Sequence, residues 1–191
     1  MLAAGRSERL GRPKQLVLLQ GTPLVRRMSE VALASHFTGC ALITGCHAPA
    51  VERAVEGLSL SLLPNPDWQE GIASSIRVAA SWARAQGFCA LALTTCDQWR
   101  LSTAHLAKLR AALTDSQGLA GSHYGDTLGV PAIFGSGWFT HLQALSGDRG
   151  AGALLRTAAA AQRVPWPEGA DDLDTEADLA RARAWGVSRQ G

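Results

Sequence analysis

Short apolar runs alternate with amphipathic stretches along most of this chain. Ala41–Thr44, Leu60–Leu63 and Cys89–Thr94 are mostly apolar segments of strand length, and helical apolar spacing separates each from the next. Leu24–Ala34 and Ile72–Ala85 repeat their apolar residues at intervals of three and four, and Pro23 stands well at a helix start. Ser102 is a good N-cap for a helix over Thr103–Leu113. Around 119–134 the pattern changes to alternating, Gly-punctuated sequence, which predicts a strand pair crossing the sheet edge. Helices are then predicted over Trp138–Leu145 and Ala151–Ala161, with a last one starting near Thr175. The rhythm is that of βαβ units. It predicts an α/β fold, a Rossmann-like three-layer sandwich around a mostly parallel sheet.

Composition narrows this to one expected domain over residues 1–191. The chain is 47% hydrophobic, enough for one core of ordinary size, and shows neither an internal repeat nor a Pro/Gly/Ser-rich linker. No stretch reaches the roughly 20 apolar residues of a membrane span, and no signal peptide is visible, so a cytoplasmic location without membrane partners is expected. A net charge of +2, with basic residues mixed among acidic ones outside the first loop, argues against nucleic-acid binding. Cys40, Cys46, Cys89 and Cys96 lack C-x-x-C spacing, and three of them read as small buried hydrophobes rather than zinc ligands. The five histidines show no ligand spacing, although His36 stands where it could complement a helix dipole.

The charge that does concentrate lies in residues 2–15, LAAGRSERLGRPKQ. Gly5 and Gly11 let backbone N–H groups approach an anion, and Arg6, Arg9, Arg12 and Lys14 could offset the charge on a leaving pyrophosphate. The spacing is neither G-x-x-x-x-G-K-[ST] nor G-x-G-x-x-G, and a solvated basic loop is the alternative. In doubly wound sheets ligands sit beyond the carboxyl ends of the strands. Asp97, just past the 89–94 run, therefore points into the crevice as an oxygen ligand for Mg²⁺, or else caps a turn. Asp172 and Asp174 precede the terminal helix, which Asp174 could equally cap. Ser74 and Ser75 follow the flexible Gly71 at a helix start and read as caps or as polar contacts. Gly129-Val130-Pro131 and Gly147-Asp148-Arg149-Gly150 read as turns.

LAAGxSxRxGxxK resembles the signature loop of the molybdenum-cofactor nucleotidyltransferases. NPDWQEGIASSI at 65–76, LTTCDQ at 93–98, GVPAIF at 129–134 and DLDTEADL at 172–179 resemble the same family in its order and approximate spacing. The LAAG and NPD-x-x-x-G forms are similar to those of its cytidylyl-transferring members. The resemblance implies an enzyme dependent on Mg²⁺, with Mn²⁺ as an alternative, that transfers CMP from CTP to the phosphate of molybdenum-bound molybdopterin. The recipient of the product would be a molybdenum hydroxylase or its maturation chaperone.

By the same resemblance Leu2, Ala3, Ala4 and Gly5 lie against base and ribose. Arg6, Ser7 and Arg9 lie on the phosphates, and Gly71, Ser74 and Ser75 on the cytosine. Lys14, Arg9 and Asp97 are the implied catalytic residues, Asp97 and Asp174 the implied metal ligands, and Gly129, Pro131, Asp148 and Gly150 the implied pterin border. A guanylyltransferase, a sugar- or polyol-phosphate nucleotidyltransferase and a non-catalytic cofactor carrier are the competing readings. The chain departs from the family pattern at Cys96, where Gly is common, at Trp99 and Glu176, where Pro is usual, and at Gly152, where Arg is frequent. Only Met1, Leu2 and Ala3 precede the loop, where a central strand of about five residues is the norm, so about four further apolar residues ahead of Met1 are expected.

Overall fold

The computed structural model describes residues 1–187; the last four residues of the expected 1–191 domain lie outside the described residues. A two-residue hairpin, β1 (Leu18–Leu19) and β2 (Thr22–Pro23), leads into α1 (Leu24–Leu33), β3 (Ala41–Thr44), α2 (Ala48–Ala54) and β4 (Ser61–Pro64). Then come α3 (Ile72–Ala85), β5 (Ala90–Leu93), α4 (Thr103–Ala112) and the strand pair β6 (Leu119–Tyr124) and β7 (Thr127–Gly135). Helices α5 (Phe139–Gln143) and α6 (Gly152–Thr157), strand β8 (Gln162–Pro165) and helix α7 (Glu176–Val187) complete the described chain.

The first residues of the chain join the two halves of the sheet. Leu2 bridges in parallel to Ile43 on one side and Thr95 on the other. Leu2 N–H donates to Thr94 O at 2.8 Å and Ala3 N–H to Ile43 O at 3.0 Å. Residues 1–4 therefore run between β3 and the end of β5, with β4 parallel outside β3. On the other side the order is β5-β7-β6-β8, in which β7 runs opposite to both of its neighbours and β8 lies parallel to β6.

Side chains alternate across this sheet, and the two faces collect separate cores. Leu2, Ala4, Leu91 and Leu93 pack with α3, α5 and α6 on one face; Ala90, Ala92, Ala120 and Ile133 pack with α1, α4 and α7 on the other. Ala3 and Leu42 join Val51 of α2 and Val55 just beyond its end in a third cluster on that second side. Both faces being buried, a one-residue slip would exchange every side chain between two unlike cores, which pins the register. The three-layer arrangement follows.

Helix α3 begins and ends where its periodicity predicts, and Ser102 caps α4 by accepting from His105 N–H. Three expectations change. The 119–134 strand pair is not at the edge: β7 is inserted between β5 and β6, and Leu128, Ala132, Ile133 and Phe134 along it are buried. The edge belongs to β8, which the sequence reading missed, because Gln-Arg-Val-Pro with Val164 alone buried carries no apolar run. The helix expected over Ala151–Ala161 accordingly stops at Thr157. The β1–β2 hairpin was also unpredicted; its turn residues Gln20 and Gly21 both have positive φ, as a type I′ turn requires.

Candidate active site

The first strand ends at Ala4, and the loop that follows is held from beneath by Gln15, which is 1% exposed. Its Nε2 donates to Ala3 O at 3.1 Å and Gly5 O at 2.7 Å, while its Oε1 accepts from Ser7 Oγ at 3.3 Å. Ser7, at φ 62, also accepts from Lys14 N–H at 3.1 Å. A single buried amide thus sets the curvature of the loop and turns Lys14 inward. A polar residue inside the run K-Q-L-V-L-L was the available sign of this duty, and the sequence reading passed over it.

Lys14 Nζ lies 2.5 Å from Asp97 Oδ2 and 2.9 Å from Asp174 Oδ1, and Arg9 Nη2 lies 2.9 Å from Asp174 Oδ2. Burial opposes the charge on Lys14, but the Asp97 charge and the hydrogen bonds to both carboxylates outweigh it, and the ammonium is held well above its ordinary range. Asp172 completes an acidic cluster: burial first, then the charges of Asp97 and Asp174, push its carboxyl up to about 7. Asp97 Oδ1 and Asp172 Oδ1 are buried without a hydrogen-bond partner. Leu173 N–H donates to Asp97 O at 3.0 Å, so the backbone itself ties the segment after β5 to the one before α7.

A cleft of about 440 Å³ opens in front of this cluster. Leu2, Ala3, Ala4, Gly5, Arg6, Lys14, Gly71, Ser75, Asp97 and Asp148 line it, together with Trp68, Gln69 and Ile72, which the sequence reading had not singled out. Arg6 stacks its guanidinium over Trp68 at 5.0 Å. Arg9 and Asp174 are not part of the lining: the Arg9 side chain is exposed and pairs with Asp174, which meets Lys14 on its other oxygen, and Ser7 serves the loop as described.

Ser74 and Ser75 are not caps: Gly71 is the N-cap residue of α3. Asn65 Nδ2 donates to Ser74 Oγ at 2.8 Å and to Ser75 Oγ at 3.0 Å, and Ser74 Oγ donates to Gly71 O. The Ser74 hydroxyl is engaged inside the fold and Ser74 does not line the cleft, whereas Ser75 does. Gly71 has φ +123, and a Cβ there would stand 2.4 Å from Asp148 Oδ1 and 2.5 Å from Gly147 O. Asp148 therefore stands in the same cleft wall as Gly71, whereas Gly129 and Pro131 do not line this cleft.

Those two lie on β7, where Pro131 O accepts from Ser122 Oγ. Gln98 Nε2 donates to Val130 O at 2.8 Å, linking that strand to the Asp97 segment. Gly150 packs near Ile72 and stands outside the cleft lining. Two departures from the expected pattern are absorbed by packing: Trp99 is buried edge-on to Trp185 at 5.3 Å, and Cys96 is buried in the cluster with Ala3 and Leu42.

The sequence pattern described as the MobA-like NTP transferase domain matches residues 1–164. The chain belongs to this family. It is a MobA-like nucleotidyltransferase, and the loop of residues 5–16, the Asp97 turn and the α3 N-terminus of this MobA-like domain meet at one cleft. It is similar to a molybdenum cofactor guanylyltransferase of Rhodobacter capsulatus, with 30% identity over 95% of this chain and 92% of that one. Purine catabolism protein PucB of Bacillus subtilis (strain 168) is 28% identical over 94% of this chain and 93% of its own length. Among solved structures, Rv0371c of Mycobacterium tuberculosis H37Rv in complex with manganese superposes with a TM-score of 0.75, at 25% identity, covering 96% of this chain and 95% of that one. No helix among the described residues is long and apolar enough to cross a membrane.

Proposed function

We propose that this nucleotidyltransferase transfers CMP from CTP to the terminal phosphate of molybdenum-bound molybdopterin, releasing pyrophosphate and forming a cytosine dinucleotide cofactor. One observation carries the reading: Lys14, clamped between Asp97 and Asp174, sits at the mouth of a cleft whose floor is the backbone of Leu2 to Gly5. A triphosphate entering along residues 5–14 meets Arg6, Arg9 and Lys14 in turn, and its base would reach the wall formed by Trp68, Gly71 and Ser75. The similarity to a molybdenum cofactor guanylyltransferase supports the acceptor; the LAAG and NPD-x-x-x-G forms support cytosine as the base.

The acceptor phosphate would attack the α-phosphorus, forming one P–O bond as the bond to the β-phosphate breaks. Lys14 would stabilise the charge that grows at the α-phosphate, and Arg9 with Arg6 would hold the departing pyrophosphate. Carboxylate oxygens are the donors that Mg²⁺ and Mn²⁺ prefer, and the buried, unpartnered Asp97 Oδ1 fits such an ion, with Asp174 as the second ligand. A bound divalent cation would neutralise phosphate charge beside these residues.

The test is pyrophosphate release from each nucleoside triphosphate with molybdenum-bound molybdopterin and Mg²⁺. Release with CTP that requires the pterin is expected. Preference for GTP would favour the second reading, guanylyl transfer, to which the Rhodobacter relative points. Release with sugar or polyol phosphates and not with the pterin would refute the acceptor.

A further inference from the structure

Asp97 and Asp174 converge on Lys14, yet neither stands on a regular element: Asp97 lies in the turns after β5, and Asp174 in the irregular stretch before α7. The separation of the two carboxylates therefore depends on how these segments are fastened to each other. One fastening is the backbone bond from Leu173 N–H to Asp97 O, next to a Leu173 side chain that is fully buried. The second is an ion pair outside the cleft lining, in which Arg100 Nη1 donates to Asp171 Oδ2 at 2.6 Å. Arg100 stands three residues past Asp97, and Asp171 three residues before Asp174, so the pair joins the two segments at matching distances from the carboxylates.

The Arg100 guanidinium lies over two rings, 5.7 Å from the centre of Trp99 and 5.8 Å from that of Trp185, which themselves meet edge-on. A planar, weakly hydrated cation suits such faces, where an ammonium would keep its water. Arg100 Nε is buried without a partner, and the bond to Asp171 is the one hydrogen bond that this side chain makes among the described residues. Trp185 carries the fastening into α7. The start of that helix is tied in turn to Asp174, because Asp178 Oδ2 accepts from Asp174 N–H at 3.1 Å and from Thr175 N–H at 2.7 Å. Arg100 thus reaches Asp174 by two routes, along the chain from Asp171 and along the helix from Trp185. An isolated surface ion pair contributes little, but this one stacks on aromatic faces and restrains two loops whose placement sets a site.

We propose that Arg100 is a positioning residue for nucleotidyl transfer: by holding Asp171 it fixes the separation of Asp97 and Asp174, and with it their ability to share one divalent cation. The assignment rests on the reading of those two carboxylates as the ligands of the cation. It is independent of which nucleotide or acceptor the enzyme uses.

Mn²⁺ binding to the full chain, followed by the electron paramagnetic resonance of the free ion, tests this without turnover. Arg100→Gln is expected to weaken Mn²⁺ binding roughly tenfold or more, the loss usual when a group that orients a metal ligand is removed. Asp171→Asn, which keeps the shape of the side chain, should act in the same direction and carries the test if Arg100→Gln fails to fold. The double variant should bind no more weakly than Arg100→Gln alone, because both changes open one ion pair. Asp97→Asn separates the two levels of the argument. If it leaves Mn²⁺ affinity unchanged, or if the wild-type chain takes up no Mn²⁺, the ligand reading fails and the Arg100 assignment falls with it. If Asp97→Asn weakens binding while Arg100→Gln and Asp171→Asn bind as the wild type does, or their losses simply add, the ligands stand and the role of Arg100 is overturned.

Discussion

Replacing Asn65 by alanine should unfasten the nucleotide wall from beneath. Asn65 is 2% exposed, donates through Nδ2 to Ser74 Oγ and Ser75 Oγ, and accepts Asp67 N–H at 3.1 Å. Ser74 keeps its bond to Gly71 O in the variant, and the Asp67 amide can turn to water. The Ser75 hydroxyl, 4% exposed, loses the one hydrogen bond it makes among the described residues. An orphaned buried hydroxyl costs about 1–3 kcal/mol, and each of the two remaining lost bonds about 0.5–1.5, so the sum is roughly 2–4 kcal/mol after partial solvent replacement.

Urea denaturation monitored by circular dichroism should show that loss as a lower midpoint at unchanged slope. The decisive comparison is a double-mutant cycle with Ser75→Ala. If Asn65 acts by satisfying that hydroxyl, the double variant should be about 1 kcal/mol more stable than the two single losses imply. Strict additivity, or a loss for Asn65→Ala below about 0.5 kcal/mol, would refute the reasoning.

Three further outcomes are expected. On the proposed transfer, Lys14→Ala should lower kcat more than it weakens CTP binding, because its charge would follow the α-phosphate into the transition state; a rise in KM alone, measured by steady-state pyrophosphate release, would make Lys14 a ground-state anchor. Gly71→Ala should cost at least about 2 kcal/mol, since φ +123 is adopted almost only by glycine and the added Cβ would overlap Asp148 and Gly147; an unchanged urea midpoint would contradict this. His105, buried and stacked on Trp166 at 4.7 Å, is held down to about 4 by burial and by the Lys108 charge, against the opposing charge of Glu168. The unfolded chain then binds the proton first, so the His105 contribution is complete above pH 6.5 and falls away as pH drops toward 4, by up to about 3 kcal/mol. Asp172, raised to about 7, acts in the opposite sense across much of that range, so the measurement is the difference between the wild-type and His105→Asn stability curves from pH 4 to 7; a flat difference would exclude the effect.

What the sequence determined by itself were the features that depend on neighbours a few residues away. The bounds of α3 follow from the spacing of Ile72, Ile76, Ala79, Ala80 and Ala83, and the Ser102 cap from chemistry within one turn. The cationic loop after a buried strand, with Asp97 past β5, placed the cleft at the carboxyl ends of the strands, because a strand's direction fixes where its following loop must lie. Tertiary structure decided everything that joins distant segments. Lys14 meets partners 83 and 160 residues away, and no local pattern states that the two carboxylates converge on one ammonium. The insertion of β7 between β5 and β6 was hidden because alternation along a strand reports which faces are buried, not which strands lie alongside. β8 was invisible for the converse reason: an edge strand buries little, so its residues carry no apolar signature. The Ser74 hydroxyl at a helix start reads as a cap in sequence; Asn65, reaching across from the end of β4, engages it inside the fold.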